Sequence, residues 1–300
     1  MPNSLASSDR QVSPLVGLFL DRSGCDEKAS PEQVITGLVE GLYREGACES
    51  AQSSLLQLFL NKRHVNVIEV VRELHCDGLI EPIGKAFGDG FRMLLKRGAP
   101  ASRMRFTMAH EVCHTFFYEL VPEMKFAAHS PDQEEERLCN FGAAVLLIPA
   151  GLLCRRAARL PVCFESLQYL AQIFCVSLST MLLRLKALDI WDCELSFWHR
   201  KVNGDFILGR VYGGRQLAWQ WEDESILRLA WESDARSTGH TFIAFEDDRG
   251  TRRYRPISYQ ILRYSDGVKV LWGKNLSNAS STSTLPLFDP EPTNIRELIN

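Results

Sequence analysis

Two histidines four residues apart, with a glutamate directly after the first, constrain this chain more than any other feature. They lie in Arg105-Phe106-Thr107-Met108-Ala109-His110-Glu111-Val112-Cys113-His114. On an α-helix, residues i and i+4 are about 40° apart around the axis, so both imidazoles leave one face and reach one ion. Glu111 sits beside them and reaches a water at an open coordination position. Zinc lowers the pKa of such a water to roughly 7, and a neighbouring carboxylate takes its proton as it attacks a carbonyl. The spacing therefore predicts a metal centre with His110 and His114 as ligands and Glu111 as catalytic base. Phe106, Met108, Ala109, Val112, Phe116 and Phe117 make the surroundings apolar, which predicts a buried helix over residues 102–120. Two adjacent buried imidazoles without a ligand are costly to satisfy, so the burial itself argues for an ion.

A hydrolytic zinc site takes three protein ligands and leaves one position open. His129 is one candidate for the third. The segment Ser130-Pro131-Asp132-Gln133-Glu134-Glu135-Glu136 is a better source. It predicts a helix with Ser130 as N-cap, Pro131 at the first position and Gln133 completing a capping box, running over residues 132–148 until Pro149 ends it. Acidic residues in a first turn also favour the helix dipole without any ion, so angular position has to choose among them. Leu138, Phe141, Val145 and Ile148 mark the core stripe, and Glu134 points nearest to it. Glu135 shares a side with Cys139, while Glu136 lies on the face of Asn140, Ala143 and Leu147. Glu136 is the preferred third ligand, with Glu135 next. Asn140, one turn on, is placed to hold a ligating histidine in orientation. Cys113 and Cys139 fall off the ligand face by this reading, which disfavours a cysteine-containing zinc site.

A single core rarely grows much past about 250 residues, so 300 residues predict two or three domains. Apolar positions at Val34, Ile35, Leu38 and Leu42 predict a helix over residues 31–45, capped by Ser30 and Pro31, and a second follows over residues 49–61. Extended stretches over residues 65–74, 79–86 and 91–97 come next, with Gly88-Asp89-Gly90 as the turn between the last two. The strand carrying Phe91, Arg92, Met93, Leu94 and Leu95 precedes the metal helix and is the candidate edge for pairing with an extended substrate. Short helices fill residues 164–189. The texture then changes to strands over residues 197–202, 206–212, 241–245, 254–257 and 268–272, with one helix over 223–231. The expected division is a peptidase domain at 15–155, a helical domain at 156–192 and a β-rich domain at 193–275. Residues 1–14 and 276–300 are expected as flexible tails.

The net charge of −3 demands neither nucleic acid nor an anionic membrane as partner. No apolar run approaches the roughly 20 residues that span a bilayer, and Met1 to Pro14 lacks a basic-then-apolar signal, so a cytoplasmic location is expected. The nine cysteines form no CxxC pair, and most are expected as small buried hydrophobes. Residues 167–188 resemble a helix-turn-helix, but the second helix carries only Arg184 and Lys186, late in its length. Arg155, Arg156 and Arg159 add charge nearby. Direct DNA binding, which needs several cationic contacts, is therefore the weaker reading against a supporting helical pack. Trp198, Trp219, Trp221, Trp231 and Trp272 are expected in the core of the β-rich region. Arg249, Arg252, Arg253 and Arg255 beside Glu246, Asp247 and Asp248 read as a solvated hairpin end.

At Arg105 to His114, and again at Glu136-Arg-Leu-Cys-Asn140-Phe-Gly-Ala-Ala-Val-Leu-Leu-Ile-Pro149, the sequence resembles the ImmA/IrrE family of metallo-endopeptidases. Gly142 departs from that pattern, which places an aromatic there; Phe141 is its neighbour. The resemblance, closest to the IrrE-like radiation-response branch, implies an α+β chain. Its parts would be a zincin-like peptidase domain, a helix-turn-helix-like middle and a GAF-like C-terminal sensor domain. It implies a zinc enzyme, manganese being the alternative metal, that cleaves a helix-turn-helix transcriptional repressor and so releases a stress or DNA-damage response. The rival reading is a non-enzymatic regulator that binds DNA or a repressor and uses its metal structurally.

Overall fold

The computed structural model describes residues 13–26, 28–45, 52–121, 132–213, 225–233, 237–246, 250–274 and 276–277. They form an α+β chain of two compact units that part between Leu147 and Ile148. The helices expected as a separate middle domain belong to the same unit as the β-rich region. Among the described residues no single helix is long and apolar enough to cross a membrane.

The first unit opens with α1 (Pro14–Arg22), which the sequence reading passed over. Its start is chemically marked, because the Ser13 side chain accepts from the Val16 amide and Pro14 takes the first position. Helices α2 (Pro31–Glu45) and α3 (Gln52–Lys62) follow, then strands β1 (Val65–Val71), β2 (Gly78–Pro82) and β3 (Phe91–Lys96). The long helix α4 (Ala101–Leu120) and then α5 (Gln133–Leu147) complete the unit. Bulk drives the assembly: Phe19, Ile35, Phe59, Phe91, Met93, Leu95, Met108 and Phe116 are fully buried. The Phe19 and Phe117 rings stack at 4.2 Å, which ties α1 to α4.

The three strands lie in the order β1-β3-β2, with β1 parallel and β2 antiparallel to β3. This corrects the expectation for Phe91 to Leu95. That strand is the centre of the sheet, both of its edges are hydrogen-bonded, and it offers no free edge to a substrate. Phe91, Met93 and Leu95 are buried while Arg92 is exposed, so even its side chains serve packing and solvent alternately.

The second unit begins with α6 (Ala150–Ala157), α7 (Phe164–Ile173) and α8 (Leu178–Ala187). The last two are bent by 99° across a short turn, within the range of a helix-turn-helix. Then come β4 (Cys193–Arg200), β5 (Phe206–Tyr212), α9 (Ser225–Glu232), β6 (Ser237–Glu246), β7 (Arg252–Tyr264) and β8 (Gly267–Gly273). They form a fully antiparallel sheet in the order β5-β4-β8-β7-β6. Its core joins Trp198, Ile261, Val270 and Trp272 to Leu227 and Ala230 of α9. Both indole N–H groups of Trp198 and Trp272 donate to the buried Ser196 hydroxyl, at 2.9 and 2.8 Å, which satisfies them inside the core. Trp231 packs against this core from its rim. Trp219, Trp221, Arg249, Asp247, Asp248 and the side chains of Glu246 and Arg255 lie outside the described residues.

Candidate metal centre

Helix α4 is fixed beneath the candidate site by a buried cation. Arg63 donates to the Thr115 hydroxyl at 2.8 Å and to its carbonyl at 3.0 Å, and pairs with Glu119 at 2.7 Å. Its guanidinium lies 4.6 and 4.5 Å from the Phe87 and Phe116 ring centres. Helix α5 reaches its close approach to α4 through Gly142. A Cβ there would stand 2.7 Å from Cys113 Sγ and 2.9 Å from Ile35 Cγ2. The departure from the family pattern at this position is thus a requirement of this packing.

The start of α5 differs from expectation. Asp132 Oδ1 accepts the amides of Glu134 at 2.9 Å and Glu135 at 3.1 Å, so Asp132 is the cap and Gln133 the first helical residue. Gln133 is therefore not at the third position, and the proposed capping residues Ser130 and Pro131, like His129, lie outside the described residues. Glu134, pointing towards α1, accepts the Ser13 amide at 2.7 Å.

Glu136 comes instead to the two histidines. His110 Nε2 and Glu136 Oε2 are 3.3 Å apart, His114 Nε2 and Glu136 Oε1 are 3.5 Å apart, and the two Nε2 atoms are 3.0 Å apart. For a tetrahedral zinc with bonds of 2.0–2.1 Å, the ligand–ligand edge is about 3.3 Å. The observed triangle has that size, so His110, His114 and Glu136 fit a metal ion as they stand. The other ring nitrogens are held from behind. His110 Nδ1 is 3.2 Å from Asn140 Oδ1, and His114 Nδ1 is 2.7 Å from Glu135 Oε1. Protons on both Nδ1 atoms would leave both Nε2 lone pairs aimed at the common point, the tautomer a metal requires; without the ion, His110 Nε2 carries a proton to Glu136 instead.

Glu111 is buried, with 5 % exposure. Burial pushes its carboxyl above the usual carboxylate range, opposed by the charges of His114 and His110 and by the Ile80 backbone N–H, and reinforced by Glu136. A carboxylate of raised basicity is what proton abstraction at neutral pH favours. Burial alone disfavours a charged His114, yet the hydrogen bond to Glu135 and the charges of Glu111, Glu135 and Glu136 raise its pKa overall. Glu136 is held low, first by its hydrogen bond with His110, against its partial burial. Strand β2 is pressed onto this group. A Cβ at Gly78 would lie 2.4 Å from Thr107 Cγ2 and 3.0 Å from Glu111 Oε1.

Sequence reasoning missed the parts played by four residues. Glu135 was weighed as a ligand, whereas its observed partner is the back of His114. Ile80 and Gly78 belong to a strand whose spacing carries no chemical signal. Tyr118, one turn beyond His114, donates its hydroxyl to the Ile80 carbonyl at 3.5 Å.

Among the described residues, His110, His114 and Glu136 form one cluster able to hold a metal ion. None of the curated proteins matches the sequence. A solved structure described as a Mycobacterium tuberculosis transcriptional regulator is similar, at 12 % identity and a TM-score of 0.46, over 91 % of this chain and 98 % of that one. Residues 80–186, which contain the metal cluster and Glu111, match the Peptidase_M78 family model, described as an IrrE N-terminal-like domain.

Proposed function

We propose that this chain is a cytoplasmic zinc-dependent endopeptidase that cleaves a helix-turn-helix transcriptional repressor and so relieves repression in a stress or DNA-damage response. The observation that carries the enzymatic part is the triangle of His110, His114 and Glu136 at tetrahedral spacing, with the buried, basic Glu111 beside it. The repressor as substrate is carried over from the resemblance to the ImmA/IrrE family.

A zinc ion bound by the three side chains supplies Lewis acidity to the scissile carbonyl and acidity to a water, and manganese is the alternative ion. The chain supplies the rest. Glu111 takes the proton from the attacking water and returns it to the leaving amine. Glu135 and Asn140 keep the imidazoles in the ligating tautomer. The edge available to substrate is that of β2. Asp77 accepts from the Lys96 amide and Ile83 donates to the Gly90 carbonyl, so odd-numbered residues of this segment bond to β3. Gly78 and Ile80 consequently direct their N–H and C=O outward. An extended peptide pairing there runs beside Glu111.

Direct DNA contact through α8 is disfavoured by what its cations do. Arg184 is buried and donates to the Ile148 carbonyl at 3.2 Å, and Lys186 donates to the Gly213 carbonyl. Neither is available for phosphates.

The test is incubation of wild type and Glu111→Gln, each with Zn²⁺ or Mn²⁺, with the helix-turn-helix repressor encoded nearest its gene, read by intact mass. One discrete cut by wild type alone is expected. Equal behaviour of the two proteins overturns the enzymatic reading.

A further inference from the structure

The face of His114 turned away from Glu136 carries a second set of metal donors. Glu135 and Cys139 lie one turn apart on α5, so their side chains share a face. The structure brings His114, Glu135 and Cys139 together with their ligand atoms within 4.8 Å of one another. The sequence had placed Cys139 away from the ligands. Its sulfur lies within 4.8 Å of a His114 ring nitrogen and of the Glu135 carboxylate, and that carboxylate faces Nδ1. Cys139 is fully buried, and His114 and Glu135 are partly buried.

We infer that His114 Nδ1, Glu135 and the Cys139 thiolate form a second, soft-metal site, which takes a thiophilic divalent cation and in doing so removes His114 from the first. Three donors of imidazole, carboxylate and thiolate type suit a tetrahedral d¹⁰ ion, and the thiolate biases the choice towards softer ions than zinc. A neutral imidazole has one lone pair. When that lone pair is on Nε2, His114 serves the cluster with His110 and Glu136, and Glu135 accepts its Nδ1 proton. When it is on Nδ1, the proton sits on Nε2 and the first cluster is left with two ligands. The two sites are thus alternative uses of one ring. Binding is balanced as M²⁺ plus the Cys139 thiol giving a metal–sulfur bond and one proton released to water, with no oxidant or reductant. Glu135 switches from hydrogen-bond acceptor to ligand with little movement, since it already faces Nδ1 at 2.7 Å.

The same arrangement predicts that a soft metal ion displaces zinc from this centre. An open zinc site with two imidazoles and a carboxylate has no special affinity for cadmium over zinc, whereas a thiolate behind one of its ligands does.

The experiment is titration of the full-length, zinc-loaded protein with Cd²⁺. It reads the thiolate-to-cadmium charge-transfer absorption and, in parallel, zinc released to a chromophoric chelator. Wild type is expected to develop the band and release zinc together, at one equivalent. Cys139→Ser is expected to lose that phase of the band. Glu135→Gln, which keeps the thiol but removes the carboxylate ligand, is expected to weaken it by at least about tenfold, since losing a ligand costs no less than losing a ligand's hydrogen-bond partner. Cys139→Ala stands in should the serine variant not fold. Undiminished absorption in the Cys139 variants, or zinc release without any band in wild type, overturns the inference. Neither readout involves peptide cleavage, so failure of the peptidase reading leaves this result standing, and the converse also holds.

Discussion

Glu135 and His114 form the shortest polar contact at the metal cluster, 2.7 Å from Oε1 to Nδ1, while the equivalent partner of His110 is a neutral amide at 3.2 Å. The two ligating rings are therefore held unequally, one by a carboxylate and one by Asn140. A carboxylate behind a ligating imidazole raises its basicity as well as fixing its orientation. Glu135→Gln should weaken zinc binding by about 10- to 100-fold, and Asn140→Ala should cost less. Competition with a chelator of known affinity measures both. Equal losses in the two variants would remove the asymmetry from the account.

Glu111 should be a liability for stability in the metal-free protein. Its folded-state pKa is raised, chiefly by burial, so the folded state holds a proton more tightly than the unfolded chain. Relative to a neutral side chain, the destabilisation is absent below the unfolded value near 4.5 and grows as pH rises through the folded value. Glu111→Gln should therefore raise the melting temperature at pH 7 by a few degrees. The gain should vanish near pH 4. Cleavage should be lost at every pH, and metal binding kept. Calorimetry of chelator-treated protein across that pH range decides it; a gain that grows towards acid would contradict the sign.

Much of this centre was legible in the sequence because its parts are local. His110, Glu111 and His114 are set by one helical spacing, and Glu136 and Asn140 by another. Angular position chose Glu136 among three adjacent glutamates, because a helix face is fixed once its core stripe is identified. What escaped depends on pairing between distant segments. Nothing in Phe91 to Leu95 says that β1 will pair in parallel with one side of it and β2 antiparallel with the other, so an alternating strand passed for an edge. The role of Gly78 needs Thr107 and Glu111 in place first. Cys139 was judged against one side of His114, although an imidazole presents donors on two.

The contact at Gly78 gives a direct test of how tightly β2 must sit on the base. In Gly78→Ala the new methyl meets Thr107 Cγ2 and Glu111 Oε1, and neither belongs to a freely moving chain end. Forced overpacking of this kind costs about 1–3 kcal/mol. The strand should lift from α4 and carry Ile80 away from Glu111. A loss of cleavage larger than the loss of stability, with zinc affinity kept, is the expected outcome. Gly78→Ala with wild-type turnover would show that β2 does not set the base.

Pairing of substrate with β2 makes a prediction that needs no change in the enzyme. Gly78 and Ile80 turn their backbone groups outward, but the Ile80 N–H is given to Glu111 and Pro82 has none, so the edge offers the Gly78 N–H and a carbonyl at every second residue. An antiparallel peptide meets this edge with alternate amides only. N-methylation of one amide in a substrate peptide should raise KM by about tenfold where that amide faces β2, taking one main-chain hydrogen bond as about 1.4 kcal/mol. Methylation of the next amide, which faces solvent, should leave KM nearly unchanged. The Ile80 carbonyl already receives the Tyr118 hydroxyl at 3.5 Å, a long contact that an incoming peptide N–H has to displace. Tyr118→Phe removes that competitor and should lower KM while keeping the alternating pattern. A scan of methylated peptides without alternation would exclude strand addition at β2 and send the substrate to another surface of the cleft.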